Sequence, residues 1–300
     1  EISACLVGSE MCIRDSAMAY SAEEGLCDPF GGQEDLARGV VRAVGEPLRR
    51  FEEDALRILR LYRFAARFGF VIDEATEAAA KQLAAHLDCV SVERIEEELN
   101  KLLSAPKPGA YLEPEVLAFV LPELPPDDLS EAREIIDALP AGAEEVTTRW
   151  AALLLPLGED GTRKALKRLK CSNAVIDGVS TLVKEKAPRT PALSLQAKRL
   201  LGKYDLHTVQ QLTALWSALQ PERKDKFTAL QKEAETLTAQ SACCRVSQLA
   251  VNGRDLMAAG VAPGPGLRRA LEALLEEVIT GRLPNEKAEL LAFAAKFSAS

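Results

Sequence analysis

Residues 49–70 have the sequence RRFEEDALRILRLYRFAARFGF. Apolar residues recur in it at spacings of three and four, which is the period of an amphipathic α-helix. At about 100° per residue, the side chains divide between two sides of this helix. One side carries Phe51, Ala55, Ile58, Leu59, Tyr62 and Ala66, and the other carries Arg49, Arg57, Arg60, Arg63 and Arg67. The spacing predicts a helix over 47–68 with an arginine-rich polar face.

The segment from Arg38 to Arg67 is basic, although the chain as a whole is acidic. It holds eight arginines, no lysine and four acidic residues, a net charge of +4, whereas the chain has a formal net charge of −8. A guanidinium donates parallel hydrogen bonds to a phosphate or a base edge, which the point charge of a lysine does not reproduce. The overall charge excludes a globally basic nucleic-acid binder, so any nucleic-acid site must be a local patch.

Asp54 and Arg57 are three residues apart and would lie side by side on a helix. Together they would offer hydrogen-bond acceptors and donors to one planar partner, such as the edge of a base. The alternative is that Glu53, Asp54 and the arginines form ion pairs with one another on a solvated helix face. The spacing leaves both interpretations open.

The rest of the chain is predicted to be mainly α-helical. From Ala17 to Gly45, short apolar pieces are interrupted by turn residues, which predicts a strand or two. The periodicity then changes to that of helices, over 47–68, 74–86, 92–104 and 109–121 and through most of the remainder.

Length and composition predict a soluble protein of two or three packed units. The 300 residues are 47% hydrophobic and 27% charged, which is ordinary for globular proteins. The longest apolar stretches, such as 150–157 and 116–121, are shorter than the roughly 18 residues that a membrane span needs. We therefore expect no membrane partner.

The cysteine and histidine content indicates a cytoplasmic protein without zinc. The seven cysteines are an odd number scattered along the chain, with no C-x-x-C pair, and there are only two histidines. Such usage is typical of a reducing compartment and offers few zinc ligands.

The first sixteen residues, EISACLVGSEMCIRDS, have no helical or alternating period, and no methionine begins them. The string LVGSEMCIRDS resembles translated sequencing-adapter sequence. We expect residues 1–16 to be an artefact and the natural protein to begin upstream of Ala17.

Several motifs occur in an order that resembles one known family. They are AMAY at 17–20, DPFGGQEDL at 28–36, AVGEPLRRFEEDALRILRLYRFAARFGF at 43–70, SVERIEEELNKLL at 91–103, and VNGRDLMAAGVAPGPGLRRALEALLEEVITGRLPNEKAELL at 251–291. Motifs that agree in order and context are a specific signal. The chain resembles the bacterial class II tRNA nucleotidyltransferases, the CCA-adding enzymes.

This resemblance implies an elongated, mainly α fold with a small remnant of an α/β nucleotidyltransferase head. The implied domains are the head remnant at 17–45, a neck at 46–104, a body at 105–190 and a tail at 191–300. The neck would recognise the base of the nucleotide, and the tail would bind tRNA.

The family's E-D-x-x-R motif falls on Glu53, Asp54 and Arg57. In the family, its Asp and Arg form a template that pairs with the base edge of incoming CTP or ATP. Arg60 and Arg63 match arginines that contact the nucleotide at its phosphates.

Residues 91–103 match a motif that braces the nucleotide-binding helices. The resemblance implies supporting roles there for Arg94 and Glu98, and for Glu53 beside the template.

The implied reaction is attack of the tRNA 3′-hydroxyl on the α-phosphate of CTP or ATP. Pyrophosphate leaves, and two Mg²⁺ ions stabilise the oxygens. In the family, a D-x-D pair after a glycine-rich strand and turn binds the metal, and no such arrangement occurs in residues 1–300. No catalytic or metal-binding residue is therefore predicted, and we expect this chain alone to be inactive. Arg14, Asp15 and Ser16 only superficially match another family motif.

Two further basic segments are candidate tRNA contacts. The first carries Arg163, Lys164, Lys167 and Arg168, and the second carries Arg268 and Arg269 after the turn Gly264–Gly266. Backbone amides at a helix start can hold a phosphate, and the family's tail binds the tRNA elbow. A solvated helix face and an ordinary loop are the alternatives.

The predicted function is the addition of C and A residues to tRNA 3′ ends. A bacterial poly(A) polymerase, which shares the head and neck motifs, is one alternative. A non-catalytic helical tRNA-binding or scaffold protein is another.

Overall fold

The computed structural model describes residues 18–21, 25–125, 129–188 and 192–295. The chain divides into two compact units, Glu1–Glu185 and Lys186–Ser300. The expected artefact at 1–16 lies outside the described residues.

Of the strands in the described residues, three lie within 17–45, where the turn-rich pattern predicts a strand or two, and one lies at Val71–Ile72, outside that segment. Strand β1 (Ala19–Ser21) pairs antiparallel with β2 (Gly25–Cys27). After helix α1 (Gly32–Arg38), strand β3 (Val40–Val41) pairs in parallel with β4 (Val71–Ile72). This short pairing ties the segment before the arginine-rich helix to the segment after it.

The rest of the first unit is helical. Its helices are α2 (Pro47–Glu53), α3 (Leu56–Phe68), α4 (Glu74–Gln82), α5 (Val92–Leu103), α6 (Pro114–Val120), α7 (Leu129–Ala138), α8 (Val146–Leu154), α9 (Gly158–Arg168) and α10 (Asn173–Lys184). Short 3₁₀ turns at Ala84–Cys89 and Gly109–Tyr111 replace parts of two predicted helices. The second turn ends before Pro114, which is accommodated in the first turn of α6 because a proline there loses no helical hydrogen bond.

The prediction of one helix over 47–68 is wrong at a single point. Asp54 has an extended backbone, with φ −154° and ψ 103°, and separates α2 from α3. Its carboxylate Oδ1 accepts the Leu56 N–H at 3.1 Å. An aspartate side chain that bonds a nearby backbone amide competes with helical hydrogen bonding, and here the helix restarts at Leu56.

Helix α3 packs against α5. The predicted apolar side is buried, including Ile58, Leu59 and Tyr62. Leu61 and Phe64, which lie away from that side, are buried as well. A helix enclosed on most sides is a core helix, and Arg63 on the predicted polar face is buried with it.

The second unit is also helical. It contains α11 (Leu193–Lys203), α12 (Leu206–Leu219), α13 (Lys224–Ala239), α14 (Gly253–Ala258), α15 (Pro265–Ile279) and α16 (Lys287–Ala294). Helix α13 packs against both α11 and α12, with the rings of Trp216 and Phe227 5.9 Å apart. A smaller apolar cluster joins α14, α15 and α16.

Candidate nucleotide-binding site

Asp54 presents a fixed carboxylate at the break between α2 and α3. One oxygen accepts the Leu56 N–H, and the other, Oδ2, accepts a hydrogen bond from Arg94 Nη2 at 2.9 Å. Arg94 comes from α5, forty residues along the chain. The backbone break and the α5 guanidinium together hold this acceptor in one orientation.

Arg57 is held by contacts across the same break. Its Nη1 donates to Glu53 Oε2 at 2.7 Å and to the Arg50 carbonyl at 3.0 Å. Arg50 also donates to Glu53 Oε2, at 3.0 Å. Hydrogen bonds from Arg57 and then Arg50 lower the pKa of Glu53 below its ordinary value. Ion pairs among these residues therefore do form, as one interpretation of the sequence expects, and they tie the end of α2 to the start of α3.

Glu98 brings Arg60 and Arg63 together. This α5 carboxylate is only 3% exposed. Its Oε1 lies 3.5 Å from Arg60 Nε, and its Oε2 lies 3.1 Å from Arg63 Nε. Lys101 Nζ is 3.7 Å from Oε1. Arg63 is thus buried against α5 with a side chain 7% exposed, and it does not lie on a solvated face.

A pocket of about 430 Å³ opens beside the Asp54–Arg94 pair. This volume is in the range of small-molecule sites. It is lined by Glu52, Glu53, Asp54, Ala55, His86, Cys89, Val90, Ser91 and Arg94. Of the predicted site residues, Glu53, Asp54 and Arg94 line the pocket, whereas Arg57, Arg60, Arg63 and Glu98 lie outside its lining.

His86, Cys89 and Ser91 are pocket residues that the sequence reasoning did not assign to the site. The first two belong to the 3₁₀ turn Ala84–Cys89, which a helical period does not distinguish from helix. The only sequence signal near them is the start of the 91–103 motif at Ser91.

The basic helix α9 uses several of its cations within the first unit. Arg163 Nη1 donates to Asp177 Oδ1 at 2.8 Å, and Lys170, just after the helix, donates from Nζ to Glu93 Oε1 at 2.6 Å. Lys164 and Lys167 are exposed. The two exposed lysines are the better placed of these residues for a phosphate.

Arg168 bridges α9 to the segment after α6. Its Nε and Nη2 donate to the two carboxylate oxygens of Glu123 at 2.7 and 2.8 Å, and Nη2 also donates to the Val120 carbonyl at 2.8 Å. The hydrogen bonds from Arg168 lower the pKa of Glu123 below its ordinary value. This geometry makes Arg168 a structural contact.

Arg168→Ala is expected to lower the free energy of unfolding at pH 7 by about 1 kcal/mol, because a charged bidentate pair is lost at a partly exposed site. Since the pKa of Glu123 is lowered in the folded state, this contribution is present above the unfolded carboxyl pKa, about 4.3, and is lost as the pH falls through the folded value. Urea unfolding at pH 7 and at about pH 3 measures both effects. Lys167→Ala is the control and should change stability by less than about 0.5 kcal/mol; an equal loss from both variants would contradict the assignment.

Arg268 and Arg269 are exposed near the start of α15. Arg268 Nε donates to Glu272 Oε1 at 2.8 Å within the helix. The helix begins at Pro265 after Gly264, whose φ of 120° suits a glycine. The predicted turn and helix start are therefore present, with both guanidiniums at the surface.

No three His, Cys, Asp or Glu side chains come together in a way that could hold a metal ion, as far as the described ranges extend. The Mg²⁺ ions implied by the resemblance find no fitting ligand set in these residues, so no Mg²⁺ site is assigned to them. Within the same ranges, no helix has the length and apolar character needed to cross a bilayer.

Two family models match the chain. Residues 142–294 match the model described as tRNA nucleotidyltransferase domain 2, putative. Residues 69–125 match the model described as the probable RNA and SrmB-binding site of polymerase A.

The chain is similar to CCA-adding enzymes over nearly its whole length. It is 33% identical over 295 residues to the CCA-adding enzyme of Limosilactobacillus fermentum, covering 94% of this chain and 69% of the relative. It is 31% identical over 291 residues to that of Geobacillus stearothermophilus, covering 93% and 69%.

Solved structures agree with this similarity. The CCA-adding enzyme of Bacillus stearothermophilus in complex with CTP matches with a TM-score of 0.77 and 30% identity, over 96% of this chain and 73% of that one. The Thermotoga maritima enzyme complexed with tRNA matches at a TM-score of 0.67 and 22% identity, over 96% and 72%, and shows the shared fold.

Proposed function

The chain belongs to the CCA-adding enzymes, which are tRNA nucleotidyltransferases, and we propose that its α2–α3 break and α5 recognise the base of incoming CTP or ATP. The observation that carries this proposal is the Asp54 carboxylate, held by Leu56 and Arg94 at the wall of a pocket of about 430 Å³. The relatives described above are CCA-adding enzymes, which does not favour a poly(A) polymerase.

The chemistry of the two bases explains why an Asp and an Arg suit this task. Cytosine and adenine each present an amino donor beside a ring-nitrogen acceptor, whereas uracil and guanine present a carbonyl beside a ring N–H. A carboxylate only accepts and a guanidinium only donates. Asp54 and Arg57 therefore complement C and A, and they present the wrong partners to U and G.

Arg60 and Arg63 are proposed ligands of the nucleotide phosphates. Each guanidinium carries several donors. The Glu98 carboxylate contacts the Nε of Arg60 and the Nε of Arg63. We propose that Glu98 and Arg94 are positioning residues, the first for these arginines and the second for Asp54, and that Glu53 positions Arg57.

We further propose that tRNA is the partner of this chain, that Mg²⁺ is the metal of the complete reaction and that the reaction takes place in the cytoplasm. All three are expected for an enzyme that extends tRNA. The candidate RNA contacts remain Arg163, Lys164, Lys167, Arg168, Arg268 and Arg269. Lys164, Lys167, Arg268 and Arg269 are the best supported of these contacts, because their side chains are exposed. The division into compact units after Glu185 supports a boundary near 190 between the proposed body and tail.

Asp54→Ala is expected to remove the preference of the chain for CTP over UTP. A bidentate base contact contributes about 1–3 kcal/mol of discrimination, roughly five- to 150-fold. Calorimetric titration of the chain with CTP, ATP, UTP and GTP measures the affinity ratios, and thermal unfolding checks that the variant is folded.

The matched control is Glu52→Ala, which removes an exposed carboxylate from the same pocket and should keep the ratios. An unchanged CTP-to-UTP ratio in a folded Asp54→Ala chain would refute base recognition by this residue.

A further inference from the structure

A second pocket lies at the opposite end of α3 from Asp54. It has a volume of about 410 Å³, and its walls include Arg67, Phe68, Pro106, Lys107, Tyr111 and Asp137. None of the residues that line the Asp54 pocket belongs to it. The two pockets are therefore separate features of the first unit.

Phe68 gives this pocket an aromatic surface. The residue is 44% exposed, which is unusual for a large apolar side chain at the end of a core helix. Its ring is stacked with Phe64, at 6.2 Å between centroids and 8° between planes, and it is tilted against Phe70 at 5.5 Å. Neighbouring rings thus hold an exposed aromatic group in place, as in proteins that stack nucleic-acid bases.

Two cations line the same pocket, Arg67 and Lys107, and both are exposed. The Arg67 guanidinium lies at the Phe68 ring, 5.7 Å from its centroid. The Asp137 carboxylate is engaged through Oδ1, which accepts the Gly109 N–H at 2.8 Å. The pocket therefore keeps a net positive charge in a chain of net charge −8.

We propose that this pocket binds one nucleotide of a single-stranded RNA segment, with the base on Phe68 and its phosphate between Arg67 and Lys107. A base stacked on an aromatic ring beside a cation that contacts the backbone is the usual chemistry of single-stranded RNA sites. The match of residues 69–125 to an RNA-binding family model includes Lys107 and Tyr111. The inference rests on the proposed function in taking RNA as the partner.

The position of the pocket suits a strand that also reaches the base-recognition site. Arg57 and Arg67 are ten residues apart on α3, about 15 Å along the helix axis. An extended strand of a few nucleotides spans that distance. The pocket would therefore hold a nucleotide upstream of the 3′ end that receives the CTP or ATP recognised at the α2–α3 break.

The test uses the full chain and a 5′-labelled cytidine hexanucleotide, with binding measured by fluorescence anisotropy at several salt concentrations. Phe68→Leu keeps an apolar side chain but removes the stacking face, and it should weaken binding about fivefold or more. Lys107→Gln should weaken binding and reduce the slope of log K against log salt by about 0.7, the value for one phosphate contact on a single strand. The controls are Phe119→Leu, an exposed phenylalanine elsewhere in the unit, and Lys186→Gln.

A second measurement does not depend on the variants. A hexanucleotide carrying 4-thiouridine should photo-crosslink to the peptide that contains Phe68 or Tyr111 in the unchanged chain. Crosslinks confined to other peptides would overturn the proposal, as would equal binding by pocket and control variants. Competition by free CMP at the hexanucleotide's own concentration would also overturn it, because the pocket would then be a mononucleotide site.

Failure of this inference is distinguishable from failure of the proposed function. Base recognition is read from the CTP-to-UTP ratio, which Phe68→Leu and Lys107→Gln should leave unchanged. If the unchanged chain binds no RNA, the pocket proposal fails together with the RNA partner, while the nucleotide titration still decides base recognition.

Discussion

Glu98→Gln is expected to lower the free energy of unfolding of the first unit by about 3–5 kcal/mol, the usual cost of removing one partner from a buried ion pair. The Glu98 carboxylate faces Arg60, Arg63 and Lys101. The side chains of the two arginines are largely buried, at 12% and 7% exposure. An amide in place of the carboxylate removes the negative charge that faces both guanidiniums in a poorly solvated place.

Urea unfolding measures this loss, and tryptophan fluorescence can isolate the unit concerned. The chain has two tryptophans, Trp150 in the first unit and Trp216 in the second. A Trp216→Phe background therefore reports the first unit alone.

Glu97→Gln is the matched control for Glu98→Gln. Glu97 is the neighbouring glutamate on α5 and pairs with Lys101 at 2.8 Å, but 64% of its side chain is exposed. A surface pair contributes about 0–1 kcal/mol, so this variant should be nearly as stable as the unchanged chain. Similar losses from the two variants would show that the Glu98 cluster is not the buried ion pair described.

A double variant, Glu98→Leu with Arg63→Leu, separates the charge from the packing. Removing both members of a buried pair is often far less destabilising than removing one. The double variant should therefore be more stable than Glu98→Leu alone. Additive losses would mean that each side chain matters for packing only.

The helices were predictable because their apolar period is local. The period over 92–104 predicts α5, which ends one residue earlier, at Leu103. The turn residues before Gly45 indicate strands in the region of β1, β2 and β3, but nothing there predicts β4. The break at Asp54 was not predictable from the period, because apolar spacing continues across it. The hydrogen bond from the Leu56 N–H to the Asp54 carboxylate accompanies the interruption of the helix at this point.

The contacts that organise the candidate site join residues far apart in sequence. Arg94 reaches Asp54 across forty residues, and Glu98 reaches Arg63 across thirty-five. Residue spacing within one helix does not predict these contacts, because they form only when α5 packs on α3. The family resemblance assigned supporting roles to Arg94 and Glu98, but it did not specify their partners.

The sequence pattern does not single out Arg149, because the residue begins an otherwise apolar run, RWAALLL at 149–155. The residue is fully buried. Its Nη1 donates to the Leu103 carbonyl at 2.5 Å and to the Ala105 carbonyl, and its Nη2 donates to the Leu139 carbonyl at 3.1 Å. Carbonyls at and after the end of a helix lack helical partners, and the guanidinium supplies donors to such carbonyls at the ends of α5 and α7.

Arg149→Met is therefore expected to lower the free energy of unfolding by about 4 kcal/mol, since each buried carbonyl left without a donor costs about 1–3 kcal/mol. Methionine has a similar length and no donor, so the loss reports the hydrogen bonds more than the volume. Arg149→Lys should recover part of the stability, because an ammonium reaches fewer of the carbonyls. Urea unfolding in the Trp216→Phe background measures the series.

The same substitution should also weaken base recognition, because α8 holds the helix that supplies Arg94. Helix α8 contacts α5 at two points, through Arg149 at Leu103 and through Trp150 Nε1, which donates to Asn100 Oδ1 at 2.7 Å. Arg163→Met, at a partly exposed position on α9, is the control and should change stability by less than about 1 kcal/mol. If Arg149→Met behaves like this control, α5 does not depend on the buried guanidinium for its position.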